Sequence, residues 1–235
     1  MSNYQNNNTI EPEISMIADF EGDETTLFVP KVDRVIPILA LRDQIIFPGI
    51  IMPVQIGRQA SVKVVKFCHE NNHQLGILAQ KDPNVNDPEP QDFYEYGTLV
   101  RIVKVLTMPD GKTTAILQGQ NRFHVDSFVP RPKKNTFWSA CVSPLVDAGI
   151  KNTSKEFTTL VSTCREMSDN LMQEYSDGKS DIAFALRNIS NNLFFINFCC
   201  TNLPFPMEEK ISMLQEDILI DRAYALLKNM NKAYH

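Results

Sequence analysis

The sequence predicts an α+β fold in which a strand-rich part precedes a helical part. Between about residues 34 and 147, apolar and polar residues mostly alternate, which is the period of a half-buried strand. After the segment 147–153, the apolar positions repeat with the longer period of an amphipathic helix. This change of period predicts two consecutive folded parts within the 235 residues.

The first part contains the predicted strands, which are rich in Val, Ile, Leu, Thr and Phe and end at Gly, Pro, Asn or Asp. Two of them flank Pro109-Asp110-Gly111, where proline presets φ and glycine accepts a positive φ, so a hairpin is expected. Long loops are expected at 81–93 and 130–135. The predicted strands are 34–40, 50–56, 74–80, 97–107, 112–119, 122–129 and 136–145.

One helix is predicted among these strands, from Gly57 to Cys68. Its apolar residues Val62, Val65 and Cys68 are spaced three positions apart, so they share one face of a helix. We expect that face to pack on the sheet.

The second part is predicted to be a helical bundle. Thr153 or Ser154 is expected to cap a helix that ends at Asp177-Gly178, and further helices are expected at 180–189 and 191–202. The final helix is expected from near Met207, and its apolar pattern continues to Tyr234 with no stop signal after it. We interpret the chain as an excised piece whose last helix continues into another module.

Charge is distributed unevenly along the chain. Residues 1–30 carry six acidic side chains and no Lys or Arg, whereas the other 205 residues carry 23 basic and 22 acidic side chains. The acidic start is predicted to be a disordered tail. The near-neutral remainder argues against binding to nucleic acid.

The five cysteines are an odd number with no Cys-x-x-Cys spacing, and no signal peptide precedes them. Buried, reduced thiols in a cytoplasmic protein are therefore expected. The most apolar later stretch, NLFFINFCCTNL, is too short and too interrupted by Asn to span a membrane.

Residues 69–73, HENNH, match the zinc-protease pattern H-E-x-x-H, which needs both histidines on one face of a continuing helix. Asn71-Asn72 is a poor helix interior and a β-prone segment follows, so His73 is expected beyond the helix end. We therefore predict no metal site.

Catalytic motifs are also missing elsewhere. Two Gly-Lys-Ser/Thr sequences, at 111–113 and 178–180, lack the earlier glycine of a phosphate-binding loop, and there is no G-x-S-x-G. Cys199 and Cys200 are expected to pack in the core rather than bind metal. No catalytic residue and no cofactor are predicted in this chain.

Residues 37–53, PILALRDQIIFPGIIMP, are too proline-rich for a helix and too apolar for a surface loop. Together with the following residues they resemble the start of the amino-terminal domain of the Lon protease family. The resemblance continues through residues 96–123 and the helical tail, and covers about residues 33–235. It rests on Pro37, Leu39, Leu41, Arg42, Asp43, Phe47-Pro48, Pro53 and Gly57-Arg58.

This resemblance implies a small PUA-like β-barrel with one packed helix, followed by an α-helical bundle. The expected division is an acidic tail at 1–30, the barrel at 31–147 and the bundle at 150–235. It also implies a non-catalytic substrate-recognition and assembly region of an ATP-dependent serine protease, which engages unfolded or damaged polypeptides. ATP, magnesium and a hexameric ring are expected only for a full-length protein.

Two roles are expected for the motif residues. Aliphatic residues of the segment should fill the barrel, whereas Phe47, Ile50 and Met52 are expected partly exposed at a barrel corner, as a patch for unfolded chains. Phe93 and Tyr94 are further polypeptide-binding candidates. The residues expected to be structural are Pro37, Leu41, Arg42, Asp43, Pro48, Gly57, Arg58, Gly97 and Gly111.

Two alternatives remain open at the level of sequence. A PUA-like barrel can bind RNA, although this rests on analogy between folds. The chain can also be a stand-alone protein whose barrel binds a small ligand or a degradation signal. Lys133-Lys134 is the main basic cluster, which speaks against RNA.

Overall fold

The structure, a computed structural model, describes residues 22–175 and 181–234. Within these ranges the strand-rich part precedes the helices, as predicted, and none of the described helices is both long and apolar enough to cross a membrane. The strands are β1 (Val35–Leu41), β2 (Ile51–Ile56), β3 (Leu75–Ala79), β4 (Tyr96–Thr107), β5 (Thr113–Val129) and β6 (Ser139–Pro144). The helices are α1 (Gln59–Asn71), α2 (Lys155–Tyr175), α3 (Asp181–Asn188), α4 (Asn192–Asn202), α5 (Met207–Gln215) and α6 (Leu219–Tyr234).

The strands form one sheet in the order β2-β5-β4-β3-β1-β6, and β5 also pairs with β6. This extra pairing makes β5, β4, β3, β1 and β6 a closed circuit of hydrogen-bonded strands. The length of β5 allows it, because residues 113–118 pair with β2 and residues 123–129 pair with β6. The circuit has the connectivity of the small barrel that the family resemblance implies.

Strand β5 replaces the two strands predicted at 112–119 and 122–129. Gln120 and Asn121 interrupt the apolar alternation, but pairing with β4 continues on both sides of them through a shift in register. Strand β6 is also shorter than predicted. Residues before it belong to a loop in which the Trp138 indole donates a hydrogen bond of 2.8 Å to the Pro88 carbonyl.

Helix α1 packs on the sheet as predicted, but its buried face differs from the prediction. Val62 is exposed, whereas Val64, Val65 and Cys68 are buried. Asn72 adopts a left-handed conformation and ends the helix, with its N–H bonded to the Cys68 carbonyl. His73 therefore lies beyond the helix, as the sequence predicts.

Helix α2 begins at the predicted cap, because the Ser154 hydroxyl accepts a hydrogen bond of 3.2 Å from the Phe157 N–H. Its predicted end at Asp177-Gly178 lies outside the described residues. The predicted final helix is divided into α5 and α6, and residues 216–218 separate them.

A buried group of two arginines and one aspartate explains this division; we call it the Arg–Asp cluster. The Asp147 carboxylate lies 3.1 Å from Arg122 Nε of β5 and 2.9 Å from Arg222 Nη2 of α6. The same two guanidiniums donate to the carbonyls of Leu214 and Glu216 at the end of α5. Because these donors satisfy the terminal carbonyls, the helix ends there without a glycine or proline signal.

The sheet and the helices share one hydrophobic core. Phe47 and Ile50, which precede β2, belong to the same buried cluster as Phe194 and Phe198 of α4. Residues 22–30, assigned by sequence to the acidic tail, join this core through Leu27 and bond to β5 through Asn121. The domain division made from the sequence stays a prediction.

The cysteines are reduced in this structure, and all except Cys141 are buried, as predicted. Burial raises the pKa of the Cys68, Cys164 and Cys200 thiols to about 12 and also raises that of Cys199. A thiol with so high a pKa is a poor nucleophile at neutral pH. These cysteines therefore serve packing.

Candidate polypeptide-binding groove

A surface groove of about 710 Å³ lies between the end of β1 and β2. Residues 39–44 form one wall and residues 53–58 form the other, with Ser61 and Thr114 completing the lining. The Leu41-Arg42-Asp43 and Gly57-Arg58 parts of the sequence motif therefore meet across this groove.

The wall formed by β2 is an unpaired strand edge. Among the described strands, β2 pairs only with β5, with Pro53 opposite Ile116 and Val54 opposite Ala115. Pro53 has no N–H to donate, and Ile50, three residues earlier, accepts from the Gly119 N–H at 2.9 Å. In an antiparallel pair, successive residues alternate between bonding to the partner strand and facing away from it. Since Ile50 bonds to β5, the backbone groups of Ile51, Pro53 and Gln55 face away from β5, toward the free edge.

The opposite wall is the last part of β1. Residues 38–41 pair with β3 on one side, whereas β6 pairs only with residues 35–37 on the other side. Arg58 occupies part of the edge that remains, because its Nη2 donates to the Ala40 carbonyl at 2.8 Å. Two strand edges thus face the same groove, and within the described part of the chain the edge of β2 has no strand partner.

Polar contacts fasten the loop 81–93 beside the groove. Arg42 donates to the carbonyls of Pro83 and Val85 and to the Asn86 side chain. The buried Gln80 side chain accepts from Arg58 and donates to the Val85 carbonyl at 2.9 Å. Arg42, which was expected to be structural, thus holds this loop.

A smaller cavity of about 220 Å³ adjoins the groove at the start of α1. Ala40, Arg58 and Ser61 line both spaces. Its other walls contain apolar side chains, among them Phe93 and Trp138, and also the ion pair of Asp87 and Arg131. The groove therefore has a recess at one end, with apolar side chains in its walls.

Arg42, Arg58 and Asp43 are the charged residues that line the groove. Burial and the neighbouring Arg42 charge lower the pKa of Arg58, and the Asp87 charge opposes this shift. At the cavity, the Arg131 guanidinium lowers the pKa of Asp87, with which it forms an ion pair. Arg131 also lies over the Trp138 ring, 4.5 Å from its centroid.

The predicted exposure of Phe47 and Ile50 is wrong. The Phe47 side chain is fully buried, Ile50 is 1% exposed, and Phe93 is also buried. Met52 and Tyr94 are partly buried and pack against the core cluster. Rings and chains so enclosed cannot form a surface patch, so we do not assign the first three as polypeptide contacts.

The reason for this burial is the helical layer, which the sequence did not place over the segment 45–51. Gly49 adopts φ 86° and turns the chain between Leu27 and Phe194, which lie against it. The Pro48 carbonyl accepts a hydrogen bond of 3.0 Å from the buried Asn197 amide. The apolar, proline-rich segment therefore joins the barrel to the bundle.

The other residues predicted to be structural lie at packing or turn positions. Pro37 pairs with β6, Leu41 is buried, and Asp43 is exposed at the mouth of the groove. Gly111, with φ 81°, closes the predicted hairpin, in which the Met108 N–H bonds to the Lys112 carbonyl at 2.7 Å. Gly97 lies in β4 close to the Ile77 carbonyl of β3.

Gly97→Ala should destabilise the protein, because an added Cβ would lie 2.2 Å from the Ile77 carbonyl oxygen. Backbone must move to relieve such overlap, at a cost of roughly 1–3 kcal/mol. Gly57→Ala is the matched control, since a Cβ there meets nothing within 4 Å. Urea unfolding should separate the two variants; equal midpoints would show that β3 and β4 adjust freely.

The rejected catalytic motifs have structural positions of their own. His73 stacks on Phe67 with ring centroids 4.9 Å apart. Gly111-Lys112 belongs to the hairpin turn, and residues 178–180 are not described. Among the described residues, no three His, Cys, Asp or Glu side chains are grouped to hold a metal ion.

Sequence reasoning missed several residues of the groove. Gln55 and Ser61 carry no motif of their own, and Trp138 lies about eighty residues further along the chain. Pro53 was a usable signal, because a proline inside a strand pattern indicates an edge strand. The strand order was needed to show where that edge lies.

The chain is similar in sequence to known proteins of one family. Residues 35–232 match the family model of the ATP-dependent protease La (LON) substrate-binding domain. The chain is 34% identical over 212 residues to a Lon protease of Parabacteroides distasonis, covering 90% of the chain and 25% of the relative. The chain is also 34% identical over 198 residues to a Lon protease of Porphyromonas gingivalis, covering 83% of the chain and 23% of the relative.

Solved structures agree in fold. The Lon N-terminal domain protein of Xanthomonas campestris matches with a TM-score of 0.61 at 20% identity, over 83% of this chain and 97% of that one. The N-terminal domain of Mycobacterium avium complex Lon protease matches with a TM-score of 0.62 at 15% identity, over 84% and 98%. The chain spans about a quarter of the length of its curated relatives. It belongs to the family of Lon substrate-binding domains.

Proposed function

We propose that this chain is the substrate-recognition region of an ATP-dependent protease and binds unfolded polypeptides as an added strand along β2. The observation that carries this proposal is the groove with the free edge of β2 as its wall. An extended chain there can accept and donate backbone hydrogen bonds at Ile51 and Gln55. Backbone pairing suits a receptor of many sequences, because it does not depend on side chains.

Selection for unfolded chains follows from the same geometry. A native protein has already paired its strands and buried its apolar side chains, whereas an unfolded one presents both. Pro53 removes one donor from the edge, which limits the number of backbone bonds and keeps binding weak. Weak binding allows the polypeptide to be passed on.

The remaining functions of a whole protein are part of the same proposal. An ATPase and a serine protease module would bring ATP and magnesium, form a ring and cut the substrate in the cytoplasm, while this chain hydrolyses nothing itself. The relatives named Lon protease, about four times as long as the matched region, support this division of labour.

RNA binding and small-ligand binding are less well supported. The near balance of charge outside residues 1–30 offers few phosphate contacts, and nucleic-acid affinity depends on them. The small cavity opens beside the groove rather than standing apart from it. We therefore propose that it serves the same polypeptide ligand.

A binding experiment with one edge variant tests the proposal. Fluorescence anisotropy would follow a labelled, permanently unfolded polypeptide titrated with the 235-residue chain, with folded protein and single-stranded RNA as competitors. Gln55→Pro removes the outward N–H of β2 and leaves the pairing with β5 intact, so we expect roughly fivefold weaker binding from the loss of about 1 kcal/mol. Gln55→Ala keeps the N–H and should bind normally.

Equal affinity of the two Gln55 variants would contradict strand addition at β2. Competition by RNA alone, or no saturable binding, would contradict the assignment of substrate recognition to this chain. Circular dichroism of both variants checks that the fold is unchanged.

A further inference from the structure

Helix α1 begins in the groove without a side-chain cap. Its N-cap residue is Arg58, which makes no capping hydrogen bond, and its first turn contains no acidic residue. The first N–H groups of a helix have no partner within the helix and carry the positive end of its dipole. A helix of 13 residues therefore presents bare N–H donors where the groove meets the cavity.

The Ser61 hydroxyl points to a ligand at the same place. Ser61 is 7% exposed and lines both spaces, yet its side chain has no hydrogen-bond partner among the described residues. The hydroxyl faces the open space of the groove and is therefore available to donate a hydrogen bond to a ligand there.

Neither arginine of the groove is in a direct ion pair with a carboxylate, although the charge of Asp87 acts on Arg58. Arg58 donates to the Gln80 amide oxygen and the Ala40 carbonyl, and Arg42 donates to carbonyl and amide oxygens of the loop 81–93. The carboxylate of Asp43 is exposed and interacts with Lys210, and Asp87 is paired with Arg131. An incoming carboxylate would meet two guanidiniums and the helix N-terminus together.

The recess beside these donors completes the site. It is a cavity of about 220 Å³ beyond Ser61, with Phe93 and Trp138 in its walls. In a carboxyl-terminal residue, the carboxylate and the side chain are bonded to the same Cα. One such residue can therefore place its carboxylate at the donor groups and its side chain in the recess. An internal residue would need the chain to continue past the recess.

We propose that the start of α1 binds the free carboxyl terminus of a polypeptide whose last residue is apolar. The carboxylate accepts hydrogen bonds from the first N–H groups of α1 and from Ser61, beside Arg42 and Arg58, and the last side chain enters the recess. This deepens the proposed function and rests on it: the groove would then favour chains that end in it.

The test compares two labelled peptides of ten residues, both Gly/Ser sequences ending in Leu-Phe, one with a free carboxylate and one with a terminal amide. We expect the free acid to bind the 235-residue chain about tenfold more tightly, since hydrogen bonds to a charged group contribute more than neutral ones. Anisotropy at 150 mM salt would measure both affinities.

Gly57 offers a matched pair of variants. Gly57 lies in the groove wall and a Cβ there meets nothing within 4 Å, so Gly57→Ala adds only a methyl group and is the reference against which the charged variant is compared. Gly57→Asp adds a carboxylate beside the start of α1 and should abolish the preference by occupying the donors. Its thermal midpoint should equal or exceed that of Gly57→Ala, because an acid there favours the helix.

Equal binding of acid and amide to the unaltered chain would overturn the proposal while leaving strand addition at β2 intact. An amidated peptide with an internal Glu that binds as tightly as the free acid would also overturn it. Failure of both peptides, together with failure of the unfolded polypeptide, would instead reject the proposed function. A tenfold preference retained in Gly57→Asp would place the carboxylate elsewhere and reject this site.

Discussion

Asp147→Asn should be among the most destabilising single substitutions in this chain, with a loss of about 3–5 kcal/mol in the free energy of unfolding. Asp147 is the shared carboxylate of the Arg–Asp cluster, and both Arg122 and Arg222 are fully buried. Removing its charge leaves Arg222 out of water with only neutral hydrogen-bond partners, and leaves Arg122 with the half-exposed Asp217 as its remaining carboxylate. The loss in the free energy of unfolding therefore comes from guanidinium charge that stays buried without this carboxylate, rather than from the lost attraction itself.

Urea unfolding followed by circular dichroism measures this effect, and the thermal midpoint should fall by about 10 °C at roughly 2–4 °C per kcal/mol. Asp217→Asn is the matched control. It touches the same Arg122, at 3.0 Å, but its side chain is 54% exposed, so water replaces the lost contact. Similar losses for both variants would show that solvent reaches the cluster.

The cluster also shows what sequence could and could not predict. The α+β order, the hairpin at Gly111 and the helix cap at Ser154 were predicted correctly. Each of these features depends on residues that are close together in the sequence. Arg122, Asp147 and Arg222 are separated by 25 and 75 positions, and no local pattern marks an arginine as buried. The break between α5 and α6 depends on these distant donors, so it was missed.

The groove was hidden for a related reason. A period of two predicts that β2 is a strand but not which of its edges is paired, since that depends on the order of strands in the sheet. Arg58 and Arg42 were recognised through the family motif, as structural residues. Their position in one groove became visible only when β1 and α1 were placed side by side.

Phe47 shows the opposite error, in which an apolar motif was partly assigned to the surface. The structure buries the ring completely, and the Phe47 N–H donates to the Thr201 hydroxyl of α4 at 3.1 Å. The Arg222 guanidinium lies over the ring, 5.8 Å from its centroid. Phe47 therefore touches both the bundle and the Arg–Asp cluster.

Phe47→Ala should cost about 3–5 kcal/mol, because it removes a fully buried aromatic ring and leaves a cavity under a buried cation. Urea unfolding should show this loss, and Phe184→Ala should show almost none, since Phe184 is 67% exposed. Combined with Asp147→Asn, the two losses should not add, because both act on Arg222. A stable Phe47→Ala variant with weakened binding of unfolded polypeptide would return this ring to the surface patch that the sequence suggested.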